Sequence, residues 1–351
     1  MPPDVLIIAD DLTGALDSSV AFAGPGRSVL VARKPDAIPQ ILSQSPDVLA
    51  VNTASRECDA EEAAQRVAAA LARLPLADIP MIMKKVDSRL KGNIAAEMAV
   101  LQAALGARRI IAAPAIPAMG RRVTGGVLSG DGIAARIDVA SRIGVSAAIP
   151  DTANERDMDE LVADAGSDVL WVGARGLAFG LARAAGRPEP QPFRLTPPLV
   201  IINGSRDPIT VAQIERLRAL TPVVDAPDGA VPAMAGAELP RVVSICDGGG
   251  GLSGDAAGVR FCDGANRLLS ALMPRSLLVA GGESCNGLLD RLGIRGLQVA
   301  AELRPGLPVS HAAAPWGNLQ LVTKSGGFGT PSLLAEIFAE AKSGDDEEDM
   351  R

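Results

Sequence analysis

The sequence predicts an α/β fold in two domains, each a mainly parallel sheet flanked by helices. Short apolar runs alternate with helix-like segments along most of the chain, as stacked βα units require. The 351 residues exceed what one ordinary core holds. One stretch of repeated prolines interrupts the pattern, and prolines forbid helix and resist sheet ladders. The strands expected before it span residues 5–9, 28–32, 48–52, 81–85, 109–113 and 169–172. Residues 59–74 form a helix, because Asp59 and Glu62 make a capping box ahead of an alanine-rich amphipathic stretch. A second helix covers 93–105. The Pro-rich segment 187–198 is the linker, so the N-terminal domain takes 1–186 and the C-terminal domain 199–343. In the latter, strands are expected at 199–202, 242–246, 277–280, 297–301 and 319–323, with helices at 210–220, 284–292 and 332–341. The acidic tail 344–351 has few apolar residues and is expected to be disordered. No internal repeat is visible.

A hydrophobic content of 48% with 21% charged residues marks a globular chain. The net charge of -7 and the 2% aromatic content argue against nucleic acid, which needs cationic surface and stacking rings. No apolar run reaches membrane-spanning length, and the start Met1-Pro2-Pro3-Asp4 lacks the basic region of a signal peptide, so cytoplasm is the expected compartment. The 4 cysteines show no CxxC spacing, which indicates neither a zinc knuckle nor a redox pair. With His311 the only imidazole and tyrosine absent, a general base falls to Asp or Glu. His311, near Pro305 and Pro308, reads as a surface residue.

Candidate sites stand at strand ends, where an open α/β sheet binds its ligands. Lys84 to Asn93 packs charges, the Ser88 hydroxyl and Gly92 immediately behind an apolar strand. Its lysines suit an anionic ligand, and Asp87 suits a proton or a hydroxyl. Asp10 and Asp11 follow the first strand; one of Asp11 and Thr13 serves as a helix cap, but two adjacent carboxylates exceed what capping requires. Arg56 closes the third strand, either as a fork for a carboxylate or as a surface arginine ahead of a helix. The Pro-rich turn 114–122 carries Arg121 and Arg122, and reads equally as an anion-binding loop or a structural turn. In the second domain, Gly281-Gly282-Glu283-Ser284 and Lys324-Ser325-Gly326-Gly327-Phe328-Gly329 each follow a strand, and glycine turns let a phosphate reach backbone N–H groups. A literal G-x-G-x-x-G at Gly249, Gly251 and Gly254 lacks both the long helix and the later acidic strand end of a dinucleotide site, and reads as a flexible loop.

Taken in order, the segments IADDLTGALD, NTASR, KKVDSRLKGN, PAIPAMGR, NGSRDPITVAQI, AGGESCNGLLDRLG and TKSGGFG resemble the four-carbon acid sugar kinase family, which includes 3-oxo-tetronate, threonate and erythronate kinases. The resemblance runs from Val5 to about Ile337. It implies an N-terminal domain that holds the sugar acid, a C-terminal domain that binds ATP, and an active site in the cleft between them. By position, Asp10, Arg56, Lys85, Val86, Asp87 and Ser88 resemble the acid-sugar site, with Arg121 added from the Pro-rich turn. Ser205, Gly281, Gly282, Glu283, Ser284, Ser325, Gly326, Gly327 and Gly329 resemble the ATP site. The chain departs from the family at Asp207, where members carry a second serine, and at Arg89-Leu90-Lys91 within the Asp87 to Asn93 motif. It is also shorter than typical members.

The expected activity is ATP-dependent phosphorylation of the terminal hydroxyl of a four-carbon sugar acid. Asp87 is the first choice of general base, ahead of Asp10 and Asp11. Arg56 and Lys85 are expected on the carboxylate and hydroxyls, and Mg2+ is expected with ATP, its protein ligands unnamed. The partners are a sugar acid and ATP, with a homodimer compatible and neither nucleic acid nor membrane. A sugar-acid sensor without turnover, and an NAD-dependent oxidoreductase using the Gly249 loop, are the alternatives; ADP release with tetronates separates the first from a kinase and nicotinamide absorbance the second.

Overall fold

The computed structural model describes residues 1–106, 108–186, 193–232 and 241–348, with side chains to residue 342. The chain forms two compact units, Met1–Gln191 and Pro192–Arg351. Of the expected linker, residues 187–192 lie outside the described residues. Residues 193–198 pack with the second unit: Phe193 and Leu195 lie on its core, and Thr196 N donates to Gln320 Oε1 at 2.7 Å.

Unit 1 runs β1 (Val5–Ala9), α1 (Leu12–Ser19), β2 (Val29–Ala32), α2 (Ile38–Leu42), β3 (Val48–Asn52), α3 (Ala60–Leu71), β4 (Met81–Lys85), α4 (Ile94–Leu105), β5 (Arg109–Ala113), β6 (Arg121–Thr124), β7 (Val127–Gly130), β8 (Ile137–Asp138), α5 (Val139–Ile143), α6 (Glu155–Asp164), β9 (Val169–Gly173) and α7 (Arg175–Ala184). Its main sheet has the order β2-β3-β1-β4-β9-β5, and every pair is parallel. β1 and β3 are buried along their whole length, the condition of central strands covered on both faces. At α3, Asp59 caps as expected by accepting from Glu62 N. The stretch after β5 is more ordered than the loop expected there: the antiparallel strands β6, β7 and β8 form a second, small sheet that begins at Arg121.

Unit 2 runs β10 (Leu199–Asn203), α8 (Pro208–Leu217), β11 (Val224–Pro227), β12 (Val242–Cys246), α9 (Gly254–Leu272), β13 (Ser276–Ala280), α10 (Gly282–Arg291), β14 (Gly296–Arg304), β15 (Leu307–Ala314), β16 (Gly317–Lys324) and α11 (Leu333–Glu348). The strands β11-β12-β10-β13-β16 are parallel, and β16-β15-β14 continue antiparallel. Two differences from expectation stand out. The glycine-rich stretch opens a helix of 19 residues, capped by Ser253, and the Asp228 carboxylate ties its loop by accepting from Gly248 N and Gly250 N. The acidic stretch 344–348 continues α11 as helix in place of the expected disorder; 349–351 lie outside the described residues. Among the described residues no helix is long and apolar enough to cross a membrane.

Candidate active site

Strand register assembles the first constellation. Ala9 on β1 pairs with Asn52 on β3 and with Lys85 on β4, so the three chains leave the sheet at one level. Asp10 and Asp11, Thr53 to Arg56, and Val86 to Ser88 therefore meet at one carboxyl edge although they come from distant parts of the chain. The backbone fixes the meeting, since Asp10 O accepts from Ser55 N at 3.0 Å and Arg56 N at 3.3 Å.

Arg56 is committed to protein. Its Nε and Nη2 donate to Asp10 at 2.8 Å each, and its Nη1 and Nη2 donate to Asp11 at 2.9 Å each. A guanidinium has five N–H groups, so one remains, with Asp87 Oδ2 lying 3.7 Å from Nη1. Burial by itself weakens the guanidinium's hold on its proton, but Asp10 and Asp11 outweigh it and leave Arg56 firmly charged. Asp10 is only 1% exposed. Burial alone would raise its carboxyl, yet Arg56, Lys84 and Lys85 together hold it below the usual carboxylate range.

The three carboxylates differ in what they leave free. Both Asp10 oxygens face Arg56. Asp11 Oδ1 takes Gly14 N, as the cap of α1, and Arg56; its Oδ2 takes Arg56 and the Thr13 hydroxyl. Asp87 Oδ1 takes the N–H groups of Arg89 and Lys91, folding the chain into a turn, while among the described residues its Oδ2 has only the long contact to Arg56. Asp87 Oδ2 is therefore the uncommitted carboxylate oxygen of the three.

Two more cationic groups belong to this edge, Lys85, which is buried, and Arg121, which is half-buried. Lys85 Nζ donates to Val86 O at 2.8 Å, and its other donors have no partner among the described residues. A Cβ on Gly14 would fall 2.9 Å from that ammonium, so glycine there makes room for it. Arg121, at the start of β6, donates to Ser88 Oγ at 2.8 Å and to Asp131 O at 2.8 Å. Partial burial, and then Arg89, pull the Arg121 guanidinium below its ordinary value, opposed by Asp87 and Asp131. Val86 is fully buried and contributes packing and its carbonyl.

Beneath the edge lies a charged network that sequence reasoning did not single out. Lys84 Nζ faces Glu97 Oε2 of α4 at 2.8 Å with both side chains fully buried, an ion pair whose angles depart from those of a hydrogen bond. Glu97 Oε1 accepts from the Ser55 hydroxyl, which contacts Thr53 Oγ1 at 2.6 Å, and Thr53 Oγ1 donates to Ala9 O.

In unit 2, Asn203 pairs with Ala280 and Ala280 with Lys324, again setting three strand ends level. Gly281 has φ +105°, a conformation that favours glycine, and opens α10 with Gly282 and Glu283 in its first turn. Ser284 packs against Gly204, where no Cβ fits, and Gly326 lies against the Ser205 hydroxyl. Asp207, the departure from the family pattern, caps α8 by accepting from Ile209 N at 2.9 Å. Lys324 is fully buried under Ser325 to Gly327, and Thr210 and Gln213 of α8 bond the loop from below. Gly329 stands apart: a Cβ there would strike Leu333 of the core, so its role is packing. Among the described residues no group of three or more His, Cys, Asp or Glu side chains fits a metal ion.

Residues 5–135 match the family model of a sugar-binding N-terminal domain, and residues 252–334 that of a nucleotide-binding C-terminal domain. The D-threonate kinase of Cupriavidus necator is 30% identical, with 94% of this chain and 96% of that protein covered. The 3-oxo-tetronate kinase of Methylobacterium radiotolerans is 26% identical, with 95% and 97% covered. A crystal structure from Salmonella typhimurium LT2, described as that of a tRNA synthase, shares the fold with a TM-score of 0.74 at 22% identity, covering 96% of this chain and 98% of that one. At that identity the likeness speaks for the fold alone.

Proposed function

The chain belongs to the four-carbon acid sugar kinase family, and we propose that it transfers the γ-phosphoryl group of ATP to the terminal hydroxyl of a four-carbon sugar acid such as threonate, erythronate or an oxo-tetronate. The observation that carries this reading is the division of charge at the unit 1 edge, where three carboxylates converge on Arg56 and the cations Lys85 and Arg121 keep donors to spare. A sugar acid needs both kinds of group, acceptors for its hydroxyls and donors for its carboxylate.

The hydrogen bonds refine the roles expected from sequence. Arg56 has too few free donors to fork onto a substrate carboxylate, so it serves to hold Asp10 and Asp11 in place. The substrate carboxylate goes to Arg121 and Ser88, with Arg89 alongside, and Lys85 takes a hydroxyl oxygen. Asp87 Oδ2 accepts the proton of the attacking hydroxyl. The freed oxygen bonds to the γ-phosphorus, the bond to the bridging oxygen breaks, and ADP leaves. Such a transition state is loose, so positioning and charge neutralisation supply most of the catalysis. ATP lies on the glycine turns of unit 2, their backbone N–H groups toward its phosphates. The described residues provide no all-protein cage for a cation. A magnesium ion bound to the triphosphate would neutralise part of its charge.

Arg121→Met tests the carboxylate assignment by comparing D-threonate with threitol, its uncharged analogue. Loss of a charge-assisted pair should lower the acid-to-polyol preference in kcat/KM by roughly ten- to a hundredfold. Equal losses on both would place the carboxylate elsewhere.

A further inference from the structure

We propose that Lys324 is a positioning residue of the nucleotide site, which from inside the sheet turns the N–H groups of Gly326 and Gly327 outward to receive phosphate without touching the phosphate itself. The inference rests on the placement of ATP at the glycine turns.

The geometry begins with the ammonium. Lys324 is the last residue of β16 and is fully buried. Its Nζ donates to Thr210 Oγ1 at 2.8 Å, Ser325 O at 3.1 Å and Gly326 O at 3.2 Å. An ammonium has three donors, and all are spent on protein. The Thr210 hydroxyl in turn donates to Gly326 O, so that carbonyl is held twice.

A trans peptide points its C=O and N–H in opposite directions. The Ser325 carbonyl shares its peptide unit with Gly326 N–H, and the Gly326 carbonyl shares its unit with Gly327 N–H. Drawing both carbonyls inward therefore turns both N–H groups outward. Neither finds a backbone acceptor among the described residues, and Gly327 is exposed. Successive outward amides make an anion-binding concavity.

The same burial makes the clamp titratable near neutrality. Desolvation lowers the Lys324 ammonium to about 8, opposed by Asp207. Glu283, in the first turn of α10, and Glu336, in the first turn of α11, are exposed. A neutral amine has two donors in place of three, so one of its acceptors is released above that pH.

Calorimetry with ADP and with adenosine, at pH 7 and pH 9, provides the test on wild type, Lys324→Met, Thr210→Val and Gly327→Val, with thermal midpoints reporting the fold. Wild-type ADP affinity should fall several-fold between the two pH values. Lys324→Met should weaken ADP about tenfold at pH 7, abolish the pH dependence and leave adenosine binding unchanged. Thr210→Val keeps the lysine and should weaken ADP in the same direction, and it carries the test if Lys324→Met does not fold. A folded Lys324→Met with wild-type ADP affinity, or one that loses adenosine as much as ADP, overturns the lysine's role alone. No ADP binding by wild type, or unchanged binding in Gly327→Val, overturns the placement of ATP and the inference with it.

Discussion

Each carboxylate at the edge of unit 1 is assigned by what its oxygens already bond. Asp87 keeps one oxygen uncommitted, whereas Asp10 is buried and clasped by Arg56. Asp87→Asn keeps size and polarity but removes proton acceptance, so kcat should fall by about 10² or more with ATP affinity unchanged by calorimetry. Asp10→Asn should behave differently. It removes a buried partner from a buried cation and should destabilise the fold by about 3–5 kcal/mol in urea titration. A stable but inactive Asp10→Asn beside an active Asp87→Asn would exchange the two roles. The clustering of charge at the end of β4 was legible in the sequence, where Lys84 to Asn93 follow an apolar strand. The partner of Arg56 was not legible. That depends on β1 and β3 lying side by side with Ala9 opposite Asn52, and nothing local to Thr53-Ala54-Ser55-Arg56 encodes it.

Among the secondary-structure elements, alternation along β4 sorts two adjacent lysines. Successive strand side chains point to opposite faces, which sends Lys84 to Glu97 on α4 and Lys85 toward Gly14 on α1. Lys84→Met would leave Glu97 buried without its partner and should cost about 3–5 kcal/mol, while Lys84→Met with Glu97→Met should recover most of that loss. A double variant that loses the sum of the Lys84→Met and Glu97→Met losses would show that the pair is not coupled. Lys324 supplies a pH-dependent counterpart. Its folded value of about 8 lies below the unfolded lysine value of about 10.4, so between them the unfolded chain binds more protons. Stability should therefore rise with pH across that window, even as ADP affinity falls, and Lys324→Met should remove the rise. Two of the elements missed in the sequence, β15 and α9, share a cause. Proline disfavours a strand and glycine a helix, yet neighbouring strands hold β15 with its Pro308, and Val231 packs where Gly264 of α9 has no side chain. Tertiary packing overrode local preference in both.

At the scale of the whole molecule, each unit solves the same problem in the same way. Parallel strands end level, and the residues just beyond them leave the ladder together. In unit 1 those residues carry charge, suited to a small hydroxylated anion. In unit 2 they are mostly glycine and serine above a buried lysine, suited to phosphate on backbone amides. The direct test is an ATP-coupled assay of the full chain over D-threonate, D-erythronate and their 3-oxo forms, with NMR of the product. The expected result is ADP release with at least one acid and a new phosphate ester on its terminal oxygen. ADP release with none of them, while each acid still shifts the thermal midpoint, would instead describe a binding protein without turnover and contradict the account.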